Sequence, residues 1–340
     1  MQLVFHDEAH QDHNPKMWFY RGVAQQSREL PERAWMMKKS LVEAGFEVRK
    51  PADFGLGPIQ RVHTQRYLDF LQVAYADWIA LEGTGPEVVA NMFPIGKDPG
   101  YPKIISGRAG FHMEDLSCPI SEGTWKAAYG AAQTAIAAAD AVVRGKGTTQ
   151  SYGLCRPPGH HAFAERAAGY CYLNNAAIAA QYLRDNGAQR VSILDVDVHH
   201  GNGTQDIFYD RGDVQFVSLH GDPAHFSPFF WGYKDQRGRG EGEGATVNFP
   251  LPLGIDEESY LEVLVTAVQC IKDFGPDALV ISLGLDTYIK DPYAAFGITT
   301  EGYARIAAQI NALKKPSVVV QEGGYLCPEL GANLVSFLKG

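Results

Sequence analysis

The stretch "ILDVDVHHGNGTQ", Ile193 to Gln205, packs Asp195, Asp197, His199 and His200 directly behind an apolar run with the character of a buried strand. Carboxylate oxygen and imidazole nitrogen together suit zinc or another borderline divalent ion. If the strand continues, Asp195, Asp197 and His199 project to one face and Val196 and Val198 to the other, because side chains two apart share a face. An exposed strand would alternate in the same way, so the pattern alone decides nothing. Its position says more, since open α/β sheets gather their ligands at the carboxyl ends of central strands. A catalytic ion usually takes three protein ligands and keeps a place for water. "VISLGLDTYIKDP" offers Asp286 at a second strand end, although alone it would read as a helix cap or loop aspartate.

Two further strand ends carry chemistry. "CRPPGHHAFAE" presents His160 and His161 after a Pro-Pro-Gly turn that could aim both at one pocket as acid/base groups. "VVVQEGGYL" ends on Gly-Gly-Tyr, where the glycines permit close backbone approach and Tyr325 could extend its hydroxyl into the pocket. Each feature alone has a plain structural reading, but four of them at four strand ends point to one site. There is no HExxH and no GxSxG, which argues against a zincin protease and a serine hydrolase. The alternating glycines of "RGRGEGEGA" match neither a phosphate-binding loop nor a dinucleotide fingerprint.

The elements that must hold these residues alternate. Strand-like runs occur at 2–6, 46–50, 151–155, 190–198, 214–220, 278–284 and 316–324. Helical patterns lie between them: 32–45, with Trp35, Met36, Leu41 and Val42 on one side, the alanine-rich 127–143, and 257–275, which ends on a glycine. This rhythm indicates one α/β domain over residues 1–340 with a mostly parallel sheet. Residues 78–123, rich in glycine, proline and aromatics, interrupt it; an ordered insertion of that length usually serves as a lid, dimer arm or substrate loop.

With 39 acidic against 30 basic residues, a formal charge of −9, the chain is a poor nucleic-acid binder and could attract a cationic substrate. Its five cysteines contain no CxxC pair and read as reduced thiols. No signal peptide or membrane span is evident, so a cytoplasmic protein is expected.

"RPPGHHA", "DVDVHHGNGTQDIFY", "VSLHGDP", "SLGLDTYIKDP" and "QEGGY" resemble the zinc-dependent histone deacetylase superfamily, in the same order along nearly the whole chain. "VFHDEAHQDHNP", the segment 78–123 and "GDPAHFSPFFWGY" resemble its bacterial acetylpolyamine amidohydrolases most. The resemblance implies the arginase-deacetylase fold, a central parallel eight-stranded sheet flanked by helices. It implies one zinc ion per subunit on Asp197, His199 and Asp286, with Asp195 orienting His160. It also implies a structural potassium ion on oxygens near Asp195, Asp197, His199, Ser218 and Leu219. Asn202 would orient His161, an amide where some relatives carry an aspartate, which suits His161 as the neutral general base and His160 as its charge-stabilising partner. Tyr325 would donate to the oxyanion, while Tyr170, Phe226 and one of Phe229 or Phe230 would wall an apolar tunnel.

The activity implied is removal of acetyl groups from acetylated amines, with acetylpolyamines, acetylputrescine or acetylcadaverine as small-molecule substrates, in a homodimer built by the insertion. The two acidic positions expected to read the distal ammonium are Ser106 and Ser117 here, with Glu114 and Asp115 as substitutes and Arg108 as a repelling charge. The alternatives are an acetyl-lysine peptide deacetylase and a binuclear-manganese ureohydrolase. The latter needs further ligands, which Val196 and Val198 do not provide.

Overall fold

A computed structural model describes residues 3–96, 98–145 and 150–340. Gln2, at the head of the first expected strand, lies outside them. The strands are β1 (Leu3–Phe5), β2 (Met17–Tyr20), β3 (Val23–Gln26), β4 (Val48–Arg49), β5 (Gln150–Gly153), β6 (Val191–Asp195), β7 (Val214–Gly221), β8 (Thr246–Leu251), β9 (Ala278–Leu283) and β10 (Ser317–Gln321). The helices are α1 (Pro31–Glu43), α2 (Gly57–Gln60), α3 (Gln65–Ile79), α4 (Ile105–His112), α5 (Thr124–Arg144), α6 (Asn175–Asp185), α7 (Asn202–Phe208), α8 (Glu257–Phe274), α9 (Thr300–Asn311) and α10 (Leu330–Lys339).

Eight strands form one parallel sheet in the order β4-β1-β5-β10-β9-β6-β7-β8. Alternation along the strands feeds two cores. Val4, Leu194, Ile281 and Val319 pack with Met37, Leu264, Ile306 and Leu334 of α1, α8, α9 and α10. Ile193, Phe216, Val280 and Val318 pack on the other face with small residues of α5 and α6. Burial on both faces explains why the central strands read as unbroken β-branched runs. Helix α8 carries its own punctuation: Asp256 caps it through Ser259 N, Glu257 and Glu258 open it, and Gly275 ends it at φ 68°.

Three expectations need correction. The buried side of α1 is Ala34, Met37 and Leu41, whereas Trp35 and Val42 are 44% and 55% exposed. Spacings of three and four from Ala34 define that stripe, and a fully buried Arg33 beside it disguises it. The strand "TVNFPL" (β8) has no counterpart among the expected runs; it lies at the sheet edge, where Pro250 is tolerated. The segment 78–123 is not a bare loop either, since Val88 bridges Ile120 and Ile105, Ala109 and Met113 build a third core with α3 and α5.

Several histidines are buried as neutral groups, and burial pulls His63, His112 and His220 each down to about 4. His63 shows why: its Nε2 accepts from Asn174 N at 2.9 Å at the mouth of α6, a bond that protonation destroys. Because these pKa values are depressed in the folded state, the unfolded chain takes up protons first as pH falls. The stabilisation is whole above about 6.5 and is lost as pH falls to about 4, several kcal/mol over the three groups. Thermal midpoints measured in chelator are therefore expected to hold from pH 8 to 6.5 and then drop steadily. A flat profile down to pH 4.5 would contradict this.

Candidate active site

The carboxyl ends of four adjacent strands, β5, β10, β9 and β6, converge on one pocket. The strand β6 ends at Asp195, so Asp197 and His199 lie in the turn beyond it and not on a continued strand face. The turn is wound by side chain to backbone bonds: Asp197 N donates to Asp195 Oδ1 at 3.0 Å and His199 N to Asp197 Oδ1 at 2.9 Å. This curl parts the residues that alternation places together. Asp195 turns to His160, while Asp197 and His199 turn to Asp286. Val196 and Val198 are buried in the core as expected.

His199 Nδ1 stands 3.2 Å from Asp197 Oδ1 and 3.2 Å from Asp286 Oδ2. A tetrahedral ion with bonds of about 2.0–2.1 Å has ligand edges of about 3.3 Å, so His199 already stands at ligand spacing from both carboxylates, and the three ligand atoms lie within 4.8 Å of one another. Their backing is fixed, with Val198 N donating to Asp286 Oδ1 at 3.0 Å and Gly323 N to Asp197 Oδ2 at 2.8 Å. A Cβ on Gly323 would fall 2.2 Å from Asp286 Oδ2, and one on Gly284 2.3 Å from Asp197 Oδ2, so only glycine lets backbone and carboxylates coexist. Burial, then the charge of Asp197, pushes Asp286 up, while His160 and His199 hold Asp197 down against its own burial. Two buried carboxylates facing one imidazole nitrogen form a donor set that fits a divalent cation.

The paired histidines differ in their partners. His160 Nδ1 bonds Asp195 Oδ2 at 3.0 Å, and although burial lowers its pKa, Asp195 and Asp197 outweigh it and raise His160 to about 10. His161 Nδ1 bonds Asn202 Oδ1 at 2.7 Å. Burial, then the charges of His160 and His199, holds His161 well below its ordinary value. The imidazole rings lie 4.0 Å apart between centroids. The partners therefore push the two imidazoles in opposite directions, His160 towards the charged form and His161 towards the neutral one.

Tyr325 is buried, with its ring under the Arg33 guanidinium at 4.9 Å and its N–H on Asp291 Oδ2 at 2.8 Å. Tyr170 lies 6.2 Å from it and Phe226 stacks on His199 at 5.0 Å. Phe229 and Phe230 are 49% and 79% exposed, so they reach at most the rim. Ser218 and Leu219 lie in β7, with Ser218 opposite Asp195 in register.

Glu114 and Asp115 are committed elsewhere. Glu114 Oε2 accepts from Arg166 Nη1 at 2.7 Å, and Arg108 is paired with Asp77 at 2.5 Å. Asp115 accepts Ser117 N at 2.7 Å and Gly169 N at 3.0 Å, and Tyr170 N returns to Ser117 O at 3.1 Å. It therefore holds the Gly169-Tyr170 turn, where Tyr170 has φ 68°. Asp115→Ala would orphan two amide donors, each worth about 1–3 kcal/mol if buried. The expected result is a KM raised about tenfold, about 1.4 kcal/mol, with bound metal unchanged; an unaltered KM would remove this role.

Four residues of the site lie outside the set that the sequence marks. Glu322 is buried beneath His160, accepts Gly159 N at 2.7 Å and His160 N at 3.0 Å, and is raised to about 7 by burial. Asp291, on the turn after Asp286, fixes Tyr325. Tyr293 sets its ring 5.0 Å from His199 and 4.9 Å from Tyr325. Trp18, from the β2–β3 hairpin, packs 5.6 Å from Tyr170. The hairpin turns at Arg21-Gly22 with φ 50° and 77°, and its aromatic run "MWFY" is the available signal.

The chain is similar to known proteins along nearly its whole length. The model of the histone deacetylase domain matches residues 27–340. The acetylpolyamine amidohydrolase of Burkholderia pseudomallei is 47% identical over 329 residues, covering 96% of this chain and 95% of the relative. That of Mycoplana ramosa is 43% identical, covering 100% and 99%. A crystal structure of acetylpolyamine aminohydrolase from Burkholderia pseudomallei superposes with a TM-score of 0.96 at 45% identity, covering 100% of this chain and 98% of that one. The chain belongs to the histone deacetylase superfamily, in which it stands beside the bacterial acetylpolyamine amidohydrolases.

Proposed function

We propose that the protein is a zinc-dependent amidohydrolase that removes the acetyl group from small N-acetylated amines, acetylpolyamines or short acetylated diamines such as acetylputrescine and acetylcadaverine. The observation that carries this reading is the pair His160 and His161, with opposite partners, beside the Asp197-His199-Asp286 donor set. A zinc ion on those three residues would supply Lewis acidity, polarising the acetyl carbonyl and acidifying water. His161 Nε2, left with its lone pair by the bond from Nδ1 to Asn202, takes the proton of the attacking water. His160, charged by Asp195, balances the negative charge that develops on the acetyl oxygen, and Tyr325 donates a hydrogen bond to that oxygen. His161 then returns its proton to the amine nitrogen as the C–N bond breaks, and acetate and free amine leave. Tyr170, Phe226 and Tyr293 enclose the alkyl chain and keep water from its flanks.

A potassium ion on the opposite side of the His199 turn is part of the proposal. It is supported by the carbonyl oxygens of Asp197 and His199, which accept no hydrogen bond among the described residues. So is a homodimer through the insertion, whose Met92, Ile95 and Ile104 are 73%, 99% and 54% exposed; sedimentation should give twice the 37.3 kDa chain. The five free cysteines favour a reducing, cytoplasmic setting, and no helix among the described residues is long and apolar enough to cross a membrane.

One observation favours the second reading, an acetyl-lysine deacetylase: the pairing of Glu114 with Arg166 leaves little acid free to select an ammonium. Zinc-loaded enzyme assayed on acetylputrescine, acetylcadaverine, acetylspermidine and an acetyl-lysine peptide decides between them. The free amines should win by about tenfold or more, about 1.4 kcal/mol. A win for the peptide would end the polyamine reading and leave the hydrolytic one.

A further inference from the structure

The segment "FHDEAH" behind β1 is not used by the active site. His6 leaves β1 at the carboxyl edge of the sheet, Asp7 caps a short 3-10 helix (Glu8–Asp12) through Ala9 N at 2.8 Å, and His10 comes back beside His6 with ring centroids 4.7 Å apart. His6 and His10 are only 4% and 1% exposed.

His6 Nδ1 donates to Leu154 O at 2.9 Å, which fixes the tautomer, because a carbonyl only accepts. Its Nε2 therefore carries a lone pair, and it is buried without a hydrogen-bond partner. This is how metal-binding histidines are usually held, with the second nitrogen on a carbonyl. Both ring nitrogens of His10 are likewise buried and unpartnered. Buried polar groups are costly to leave unpaired, and a bound cation would satisfy the one lone pair of each ring at once. Glu8 supplies the charge, with Oε2 3.9 Å from His10 Nε2, and ligand atoms of His6, Glu8 and His10 all lie within 4.8 Å of one another.

We propose that His6, Glu8 and His10 form a second divalent-metal site, separate from the catalytic one, that takes a zinc-class ion. Two imidazoles and one carboxylate suit zinc better than magnesium or calcium, which prefer all-oxygen sites. Glu8 is exposed, so its side chain can swing the remaining distance; its Oε1 pairs with Lys38 and its Oε2 accepts from Gln11 at 2.7 Å. A cleft of ≈ 530 Å³ borders His6 and Glu8, leaving room for water or a small anion, while His10 closes the site from the buried side. Arg49, Lys50 and Lys126 line it, with Arg49 paired to Glu47 and Lys126 to Asp12, and this basic rim favours an anion in the open position. β1 is three strands from β9, about 14 Å at ~4.8 Å per strand, so the two sites do not share ligands. The ion would tie β1 to the turn whose His10 carbonyl receives Arg156.

The test is metal counting and thermal unfolding on the whole protein, stripped with chelator and dialysed against about 1 μM free Zn²⁺. Wild type is expected to hold two equivalents, Asp286→Ala one, His10→Ala one, and the double variant none. Zinc should raise the Tm of Asp286→Ala but not that of the double variant, and Glu8→Gln, a change at an exposed position, should weaken the second equivalent at least tenfold. One equivalent in wild type, or two in His10→Ala, overturns the proposal. If His10→Ala does not fold, Glu8→Gln decides, since unchanged affinity there also overturns it. A binuclear ureohydrolase centre gives a different pattern, in which Asp286→Ala loses both ions.

Discussion

Replacing His161 with alanine is expected to lower kcat/KM by about 10³-fold, within the range by which a positioned acid/base group contributes. The reason is geometric before it is electrostatic. Asn202 Oδ1 accepts the Nδ1 proton at 2.7 Å, so Nε2 is the free base, and a carbonyl oxygen adds no full charge to stabilise the imidazolium. Bound zinc should be unchanged, because His161 is not one of the three proposed ligands. Asn202→Asp supplies a control with a sign. A carboxylate there favours protonated His161, so the acid limb of the pH–rate profile should move to higher pH while the fold is kept. An unmoved limb would mean that another group takes the proton.

The second large effect is Tyr325→Phe, expected to cost about 10²–10³ in kcat with zinc retained, as for loss of one oxyanion donor. The phenyl ring keeps its place under Arg33, whose Nε donates to Gly324 O at 2.5 Å, and the Tyr325 amide stays on Asp291. Only the hydroxyl is removed. Burial pushes that hydroxyl well above its ordinary value, so it is protonated at any working pH and acts as a donor throughout. Structural collapse would lower zinc content and Tm together; loss of a transition-state contact lowers kcat alone. Full activity in this variant would remove Tyr325 from the mechanism.

The grouping of the candidate site residues is legible in the sequence because strand ends mark themselves. β-branched runs stop where Asp195, Asp286 and Tyr325 begin, and the parallel sheet brings those ends to one edge. Alternation gives the wrong reason for their grouping: Asp197 and His199 share no strand face with Asp195, and the turn that parts them is built from side chain to backbone bonds that periodicity cannot register. Glu322 is hidden for a related reason. A carboxylate between a β-branched run and two glycines looks like a solvated loop residue until Gly159 and His160 are seen donating to it. The β2–β3 hairpin is only four residues on each side and exposes most of its aromatics, so it lacks the alternation that would declare Trp18 a buried neighbour of Tyr170. Glu114 and Asp115 have the right chemistry for the tunnel mouth, and only contacts made across more than 50 positions, to Arg166 and Gly169, reveal that they are engaged.

The most direct measurement is acetate released from acetylputrescine by stripped protein, by protein reloaded with zinc, and by reloaded Asp286→Ala. No acetate is expected from the stripped form, one acetate per amine after reloading, and none from the variant even with zinc in solution. Zinc-loaded wild type that frees no acetate from acetylputrescine, from a longer acetylpolyamine or from an acetyl-lysine peptide would contradict the hydrolytic role.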